Sequence, residues 1–248
     1  MEAWIQPALV LAAGFGASVI NVLAGGGGLV PLPALVFLGL PADVANGTNR
    51  IGVLAQGIAA TAGFRERGWP MPRWAGVLCV ASAAAGAALA TVADADATRV
   101  MAGALILLVL PFAFARPSSG RWPRWASSVA LIAGGLHGGF VQAGVGVVLL
   151  FVFTRGFGLE IAQANRAKVL VVLVFTIPAL AVFGAAGKVD VKVGLLLAAG
   201  SWVGGAVGAR INDRVDPLVL RWFVAAAAVA AGASLLASGA ARLGWTLV

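Results

Sequence analysis

Charged residues are scarce in this chain, and that scarcity excludes a soluble domain. Only 10% of the 248 residues are charged, whereas 61% are hydrophobic. A soluble domain carries about 25% charged residues because its surface faces water. The apolar residues come in long runs instead of alternating strands of about ten residues, which excludes an outer-membrane barrel. The sequence therefore predicts an all-α polytopic membrane protein in contact with a lipid bilayer.

Cysteine and histidine are almost absent as well. The single cysteine, Cys79, excludes an internal disulfide and any paired-cysteine metal or redox motif. The single histidine, His137, has no orienting acid near it in the sequence, and no Gly-x-Ser-x-Gly motif is present. The sequence thus predicts no metal, no cofactor and no catalytic residue.

Nine apolar segments set the number of crossings. They lie near residues 5–24, 29–41, 43–64, 74–93, 97–115, 126–154, 159–186, 190–211 and 217–238. Because a spanning helix needs roughly 17–25 residues, segment 29–41 is too short and is interpreted as the second half of a broken first helix. Segment 126–154 is overlong and contains its own glycine-rich break. The sequence predicts about eight crossings, with residues 5–24 retained as the first.

An internal duplication divides these crossings into two groups. Residues 39–48 resemble residues 156–165, and Gly86 and Asp94 have counterparts at Gly205 and Asp213. The sequence predicts two homologous halves of about four helices each, residues 1–115 and 125–248, joined by a cytoplasmic linker at 116–124. An even number of crossings in each half predicts parallel repeats, whereas glycine breaks that form re-entrant hairpins would change the parity and permit inverted repeats. The choice between parallel and inverted repeats stays open at this point.

The net charge of +8 is explained by membrane topology. The cations are scattered between apolar runs and are not gathered on one face, so nucleic acid is not an expected partner. The positive-inside rule places one group of cations, together with both termini, on the cytoplasmic side. This group comprises Arg65, Arg67, Arg73, Arg116, Arg121, Arg124, Lys188, Lys192 and Arg242.

A glycine-rich stretch stands where a helix should continue. Gly25, Gly26, Gly27 and Gly28 precede Pro31 and Pro33. Broken backbone inside a bilayer has to be covered by protein or to line a cavity, and freed amides at a helix start bind anions. The alternative is tight helix packing through small residues, which we assign instead to the stripe Gly200, Gly204 and Gly208.

Polar residues at membrane depth supply the candidate ligands. Asn46, Asn49 and Arg50 share one helix face, and a guanidinium suits sulfonate or carboxylate. Arg50 can alternatively reach the interface or pair with Asp43. In the second half we choose Arg166 over Lys168, which is expected to reach the interface or pair with Glu160. The further candidates are Thr48, His137, Gln142, Gly144 and Asn165.

The order of these motifs resembles the sulfite exporter TauE/SafE family over nearly the whole chain. The likeness rests on the glycine-rich stretch, then Gly39-Leu40-Pro41, then Ala45-Asn46-Gly47-Thr48, a Gly63 to Gly68 loop and residues 184–190. The chain departs from the family in its thinner glycine run at 143–146 and in Asn165-Arg166, where a Thr-Ser pair is common. The resemblance implies a bacterial or archaeal inner-membrane permease for sulfite or organosulfonates.

The sequence as a whole predicts a secondary transporter or exporter of small sulfur-containing anions, with the substrate near the midplane between the repeats. One alternative is an intramembrane enzyme that uses His137 with Ser18, and another is a membrane scaffold or assembly subunit. Stripes of small residues permit a homodimer. The identity of the anion, the coupling ion and the direction of flux stay open.

Overall fold

The fold is described by a computed structural model that covers residues 2–24, 29–64, 71–114, 121–211, 215 and 217–242. Within these ranges every regular element is a helix and none is a strand. The elements are α1 (Glu2–Ala24), α2 (Pro31–Phe37), α3 (Ala42–Gly63), α4 (Arg73–Val92), α5 (Ala95–Leu108), α6 (Leu110–Ala113), α7 (Arg124–Phe140), α8 (Val145–Gly156), α9 (Ile161–Ala185), α10 (Val191–Ile211) and α11 (Pro217–Arg242). The all-α prediction is confirmed.

In the described part of the chain, six stretches are long and apolar enough to cross a membrane by length and composition. They are Gln6–Leu23, Arg73–Val92, Ala95–Phe112, Ile161–Ala185, Val191–Ile211 and Trp222–Arg242. Large apolar side chains such as Val77, Leu89 and Ile177 point outward, as lipid contact requires. Helix α3 is long enough to cross but is too polar to count among the six, and α7 and α8 are each too short. The count of about eight stays a prediction.

Segment 126–154 forms a hairpin of two helices, which differs from the predicted single broken crossing. A methyl group at Gly138 would lie 2.9 Å from Val145 Cγ2, and the Ser127 hydroxyl donates to the Gly156 carbonyl at 3.3 Å. Since the end of α7 meets the start of α8 and the start of α7 meets the end of α8, α8 runs back along α7. The start of α7 and the end of α8 lie at the same end of the bundle. At that end the rings of Trp74 and Phe157 contact each other.

Close contacts at glycines fix the directions of the other helices. Gly47 lies against Phe183 and Gly57 against Leu173, so α3 and α9 are antiparallel. Gly103 lies against Gly232 and Gly239 against Val100, so α5 and α11 are antiparallel too.

Two further pairs run parallel. Gly135 and Gly139 of α7 meet Cys79 and Ala83 of α4, in the same order along both helices. In the same way Gly200, Gly204 and Gly208 of α10 follow α1 from Leu11 to Val22, which confirms the predicted packing stripe.

These directions define two ends of the bundle. The Trp74 end is where α4, α7 and α9 begin and where α3, α8 and α10 end. The Asp43 end is where α3 and α10 begin and where α4 and α9 end. Lys188 lies at the Asp43 end, 3.0 Å from the Asp43 carboxylate. The prediction that Lys188 lies on the same side of the membrane as Arg73 and Arg124 is therefore wrong. The α7–α8 hairpin begins and ends at the Trp74 end, so it is not a crossing, and Lys188 lies on the side opposite to the one predicted.

Candidate functional site

The hairpin tip, residues 141–144, is a break in helical backbone that the protein covers completely. Val141, Gln142 and Ala143 are at most 4% exposed. Gly144 has φ +78°, a left-handed conformation that glycine adopts without strain, and from it α8 begins. Just before the tip, Gly139 lies against Ala83 and Phe140 lies against Gly86, both in α4. Broken backbone at membrane depth is stable only when it is covered in this way.

All four carbonyls of the last turn of α7 are hydrogen-bonded. The Val141 amide donates to His137 O at 2.8 Å. The Arg50 guanidinium donates to Gly138 O at 3.2 Å and to Gly139 O, and the Asn46 amide donates to Phe140 O at 2.6 Å. Helix ends leave these carbonyls without partners in the helix, and they carry partial negative charge. Asn46 and Arg50 thus bring α3 to the tip, and their predicted shared face is confirmed.

Arg50 itself is fully buried. Its guanidinium carbon lies 4.5 Å from the centre of the Phe183 ring, and none of its side chain is exposed. Within the described part of the chain, its Nε atom has no hydrogen-bond partner. The side chain therefore keeps one donor unused at the point where the α7–α8 backbone breaks.

His137 and Gln142 complete the polar groups of the hairpin. His137 Nε2 lies 3.0 Å from Ala143 O, and because a carbonyl oxygen only accepts, Nε2 carries the proton in this contact. The Gln142 amide donates to Thr176 Oγ1 at 2.6 Å, while its Oε1 is buried and has no partner among the described residues. Both side chains hold the tip in place, and Thr176 is a member that the sequence did not indicate.

Thr48 is buried but lies away from the tip. Its hydroxyl accepts a hydrogen bond from the Asp190 amide at 2.9 Å, and the neighbouring Gly47 lies directly against Lys188 O. The two motifs at 45–48 and 184–190 therefore pack against each other at the Asp43 end, where they hold the α9–α10 turn on α3.

Thr48→Val is expected to lower the free energy of unfolding by about 1–2 kcal/mol, because the Asp190 amide loses its acceptor. Thermal unfolding in detergent measures the change. Thr91→Val is the matched control, since the Thr91 hydroxyl bonds only Ala88 O of its own helix. Lost anion binding with unchanged stability would place Thr48 among the ligands and contradict this assignment.

The other predicted residues lie elsewhere or outside the description. Asn49 is buried in α3, Asn165 is buried in α9, and Arg166 is half-buried. Arg166 is ten residues from Thr176, or about 15 Å along α9 at 1.5 Å per residue. The structure thus does not bring Arg166 to the tip beside Arg50. Gly25, Gly26, Gly27 and Gly28 lie outside the described residues.

Lys168 is a buried cation that the sequence reasoning assigned wrongly. It is 1% exposed, and its ammonium donates to Asn21 O at 2.8 Å and to Val22 O at 3.2 Å. It therefore neither reaches the interface nor pairs with Glu160. In the internal repeat, Arg50 corresponds to residue 167, and Lys168 is the next residue. This correspondence is the feature of the sequence that could have identified Lys168 as a counterpart of Arg50.

Neither buried cation has a carboxylate partner in the described ranges. The ion pairs there join Arg99 to Asp96 at 3.6 Å and Lys188 to Asp43 at 3.0 Å. A buried charge without a counter-charge is costly and marks a functional site inside a membrane. Arg50 and Lys168 are therefore the two candidate positions for binding an anion.

Comparison with known proteins decides the class. Residues 10–235 match the family described as Sulfite exporter TauE/SafE. The chain belongs to this family. It is accordingly a multi-pass membrane transporter and not an enzyme, so the alternative catalytic interpretation of His137 is wrong.

Curated relatives of this TauE/SafE protein carry transporter names. A "Probable membrane transporter protein" of Haemophilus influenzae is 27% identical over 218 residues, which are 82% of this chain and 84% of the relative. "Probable membrane transporter protein ORF9" of Sinorhizobium sp is 26% identical over 244 residues, or 93% and 92%. "Probable membrane transporter protein YfcA" of Escherichia coli K12 is 27% identical over 205 residues, or 79% and 76%. No solved structure matches the chain.

Proposed function

We propose that this TauE/SafE protein is a secondary transporter that moves small sulfur-containing anions, sulfite or organosulfonates, across the inner membrane. The observation that carries the proposal is Arg50, a fully buried cation with no carboxylate partner in the described ranges, at the last turn of α7 where the buried α7–α8 hairpin turns. An oxyanion there would neutralise the charge and accept from the unused Nε donor.

The chemistry of the tip suits an oxyanion. A guanidinium presents a planar fork of donors that matches the oxygens of sulfonate or sulfite. The start of α8 carries partial positive charge, and the Val147 amide there donates to Gly144 O at 3.0 Å. Gly144, which precedes α8 without a side chain, lies against Val109. Arg50, Gly144 and the start of α8 form the centre of the proposed site, and Asn46, Asn49, His137 and Gln142 support it.

We further propose that the two halves, 1–115 and 125–248, are inverted repeats joined by the linker 116–124. Helix α3 is antiparallel to its counterpart α9, and α5 is antiparallel to α11. The pairing of α1 with α10 mirrors the pairing of α7 with α4. Transporters with inverted repeats bind substrate where the repeats meet, and the contact of α3 with α7 lies there. In the sequence, residues 25–28 of the first half correspond to residues 142–145 of the second half.

The Trp74 end is proposed to face the cytoplasm. Its described cations are Arg73, Arg121, Arg124, Arg155 and Arg210, accompanied only by Glu160 among described acids. Those at the Asp43 end are Arg99, Lys188, Lys192 and Arg242, accompanied by Asp43, Asp94, Asp96 and Asp190. The positive-inside rule then places the start of α1 and the end of α11 outside. This orientation is the reverse of the expected one, in which both termini are cytoplasmic. The homodimer, which was predicted from stripes of small residues, stays a prediction.

A panel of anions tests the proposal. We would measure the unfolding temperature of the purified protein with sulfite, sulfate, thiosulfate, taurine, methanesulfonate and acetate, and then uptake of the best anion by proteoliposomes. A ligand that binds only the native state raises stability by about 2.7 kcal/mol at a hundred times its Kd. Stabilisation and uptake of sulfite or sulfonates over acetate are expected. If none of the sulfur anions stabilises or enters at millimolar concentration, the proposal fails.

A further inference from the structure

We propose that Lys168 and the end of α1 form a second anion-binding position, distinct from the Arg50 position, for a small oxyanion that carries one negative charge. This inference rests on the proposed function and deepens it. It makes the carrier a protein with two sequential half-sites, one for each direction of access.

The contacts of Lys168 repeat those of Arg50. Each cation lies inside a long helix, α9 or α3, and each donates to two consecutive carbonyls near the end of a helix of the other half. Lys168 reaches Asn21 O at 2.8 Å and Val22 O at 3.2 Å near the end of α1. Arg50 reaches Gly138 O and Gly139 O in the last turn of α7. The same arrangement, a buried cation that donates to two consecutive carbonyls near a helix end, is thus present twice.

The local charge at Lys168 is not balanced by its protein partners. An ammonium has three N–H donors, of which the two carbonyls accept two. A helix end supplies roughly half an elementary negative charge, which is less than the charge of the ammonium. In the described ranges no carboxylate contacts Lys168. An anion supplies the missing charge and accepts from the third donor.

Polar side chains of α1 and α3 extend the polar region around Lys168 toward α3. The Asn21 amide donates to Gln56 Oε1 at 3.0 Å, and Gln56 is 4% exposed. Ser18 is buried one turn earlier on α1. Lys168, Asn21 and Gln56 therefore form a polar group between three helices.

The two positions are too far apart for one small anion to contact both. Because α3 and α9 are antiparallel, with Gly47 beside Phe183 and Gly57 beside Leu173, Arg50 lies level with residue 180 of α9. Lys168 is twelve residues away, or about 18 Å along the axis. Arg50 lies toward the Asp43 end and Lys168 toward the Trp74 end. Asn165 and Arg166, near the start of α9, lie on the path from the Trp74 end to Lys168.

Saturation binding of radiolabelled sulfite to the purified protein tests the inference, with methanesulfonate as competitor. We expect wild type to bind about two equivalents per chain, and Lys168→Gln and Arg50→Gln to bind about one each. Lys192→Gln is the matched control, because Lys192 is exposed at the start of α10. Lys168→Arg keeps the charge and is expected to bind about two equivalents. This result would show that Lys168→Gln loses one equivalent of bound anion because it lacks the charge.

The outcomes separate this inference from the proposed function. One equivalent in wild type that is lost in Arg50→Gln overturns the second position and leaves the proposed function intact. Unchanged binding by a folded Lys168→Gln variant does the same. No sulfite or methanesulfonate binding by wild type overturns both. Since the stoichiometry of wild type decides by itself, the test does not depend on whether Lys168→Gln folds.

Discussion

Arg50→Gln is expected to reduce sulfite or sulfonate uptake by roughly 10- to 100-fold, because a buried hydrogen bond to a charged group contributes about 1.5–3 kcal/mol. Glutamine is close in length but carries no charge, so the anion would lose both its counter-charge and the Nε donor. The measurement is initial uptake into proteoliposomes, with the unfolding temperature of the ligand-free protein as a check on folding.

Two further variants test whether the loss of uptake depends on the position and the shape of the Arg50 side chain. Arg210→Gln removes an equal charge from an exposed position in the last turn of α10, and it should transport as wild type does. Arg50→Lys keeps the charge but loses the planar fork, and it should recover part of the uptake. If a folded Arg50→Gln variant transports normally, Arg50 only fastens α3 to α7 and the substrate binds elsewhere.

Gly139→Ala is expected to destabilise the protein by about 3 kcal/mol or more, the upper range for overpacking a core. A methyl group there would overlap the Ala83 carbonyl oxygen and lie 2.7 Å from its carbon, and both atoms belong to the backbone of α4. Backbone cannot turn aside as a flexible side chain can, so the hairpin has to move away from α4. The unfolding temperature should fall by roughly 6–12 °C.

Gly184→Ala is the matched control for this overlap. It also replaces a helical glycine, but no atom lies within 4 Å of the added methyl group. Alanine favours a helix by up to about 1 kcal/mol over glycine, so this variant should be neutral or slightly more stable. Equal stability of Gly139→Ala and Gly184→Ala would mean that α7 does not pack on α4 as described.

The sequence predicted the chemistry of the tip better than its topology. The spacing of Asn46 and Arg50 placed both side chains on one helix face, and both reach the last turn of α7. Periodicity succeeds here because it depends only on helix geometry. Residues 126–154, in contrast, form one long and mainly apolar segment, and hydropathy alone does not distinguish one long crossing from a hairpin that turns at Gly144.

Contacts to backbone atoms were the least predictable. Lys168 was expected to reach the interface or to pair with Glu160, yet it donates to carbonyls of α1. Every residue has a carbonyl, so such acceptors leave no pattern in the sequence. Thr48 was chosen as a ligand for its hydroxyl and depth, whereas the Asp190 amide, equally invisible in the sequence, already uses that hydroxyl.

The antiparallel arrangement of α3 and α9 has an electrical consequence. The 18 Å step between Arg50 and Lys168 is about 0.6 of a hydrocarbon core roughly 30 Å thick. A monovalent anion that makes this step would exchange about 1.4 kcal/mol with the membrane for each 100 mV of potential. Voltage would then act on the step inside the protein, and an imposed potassium diffusion potential should change the rate of uptake even when the anion gradient is held constant.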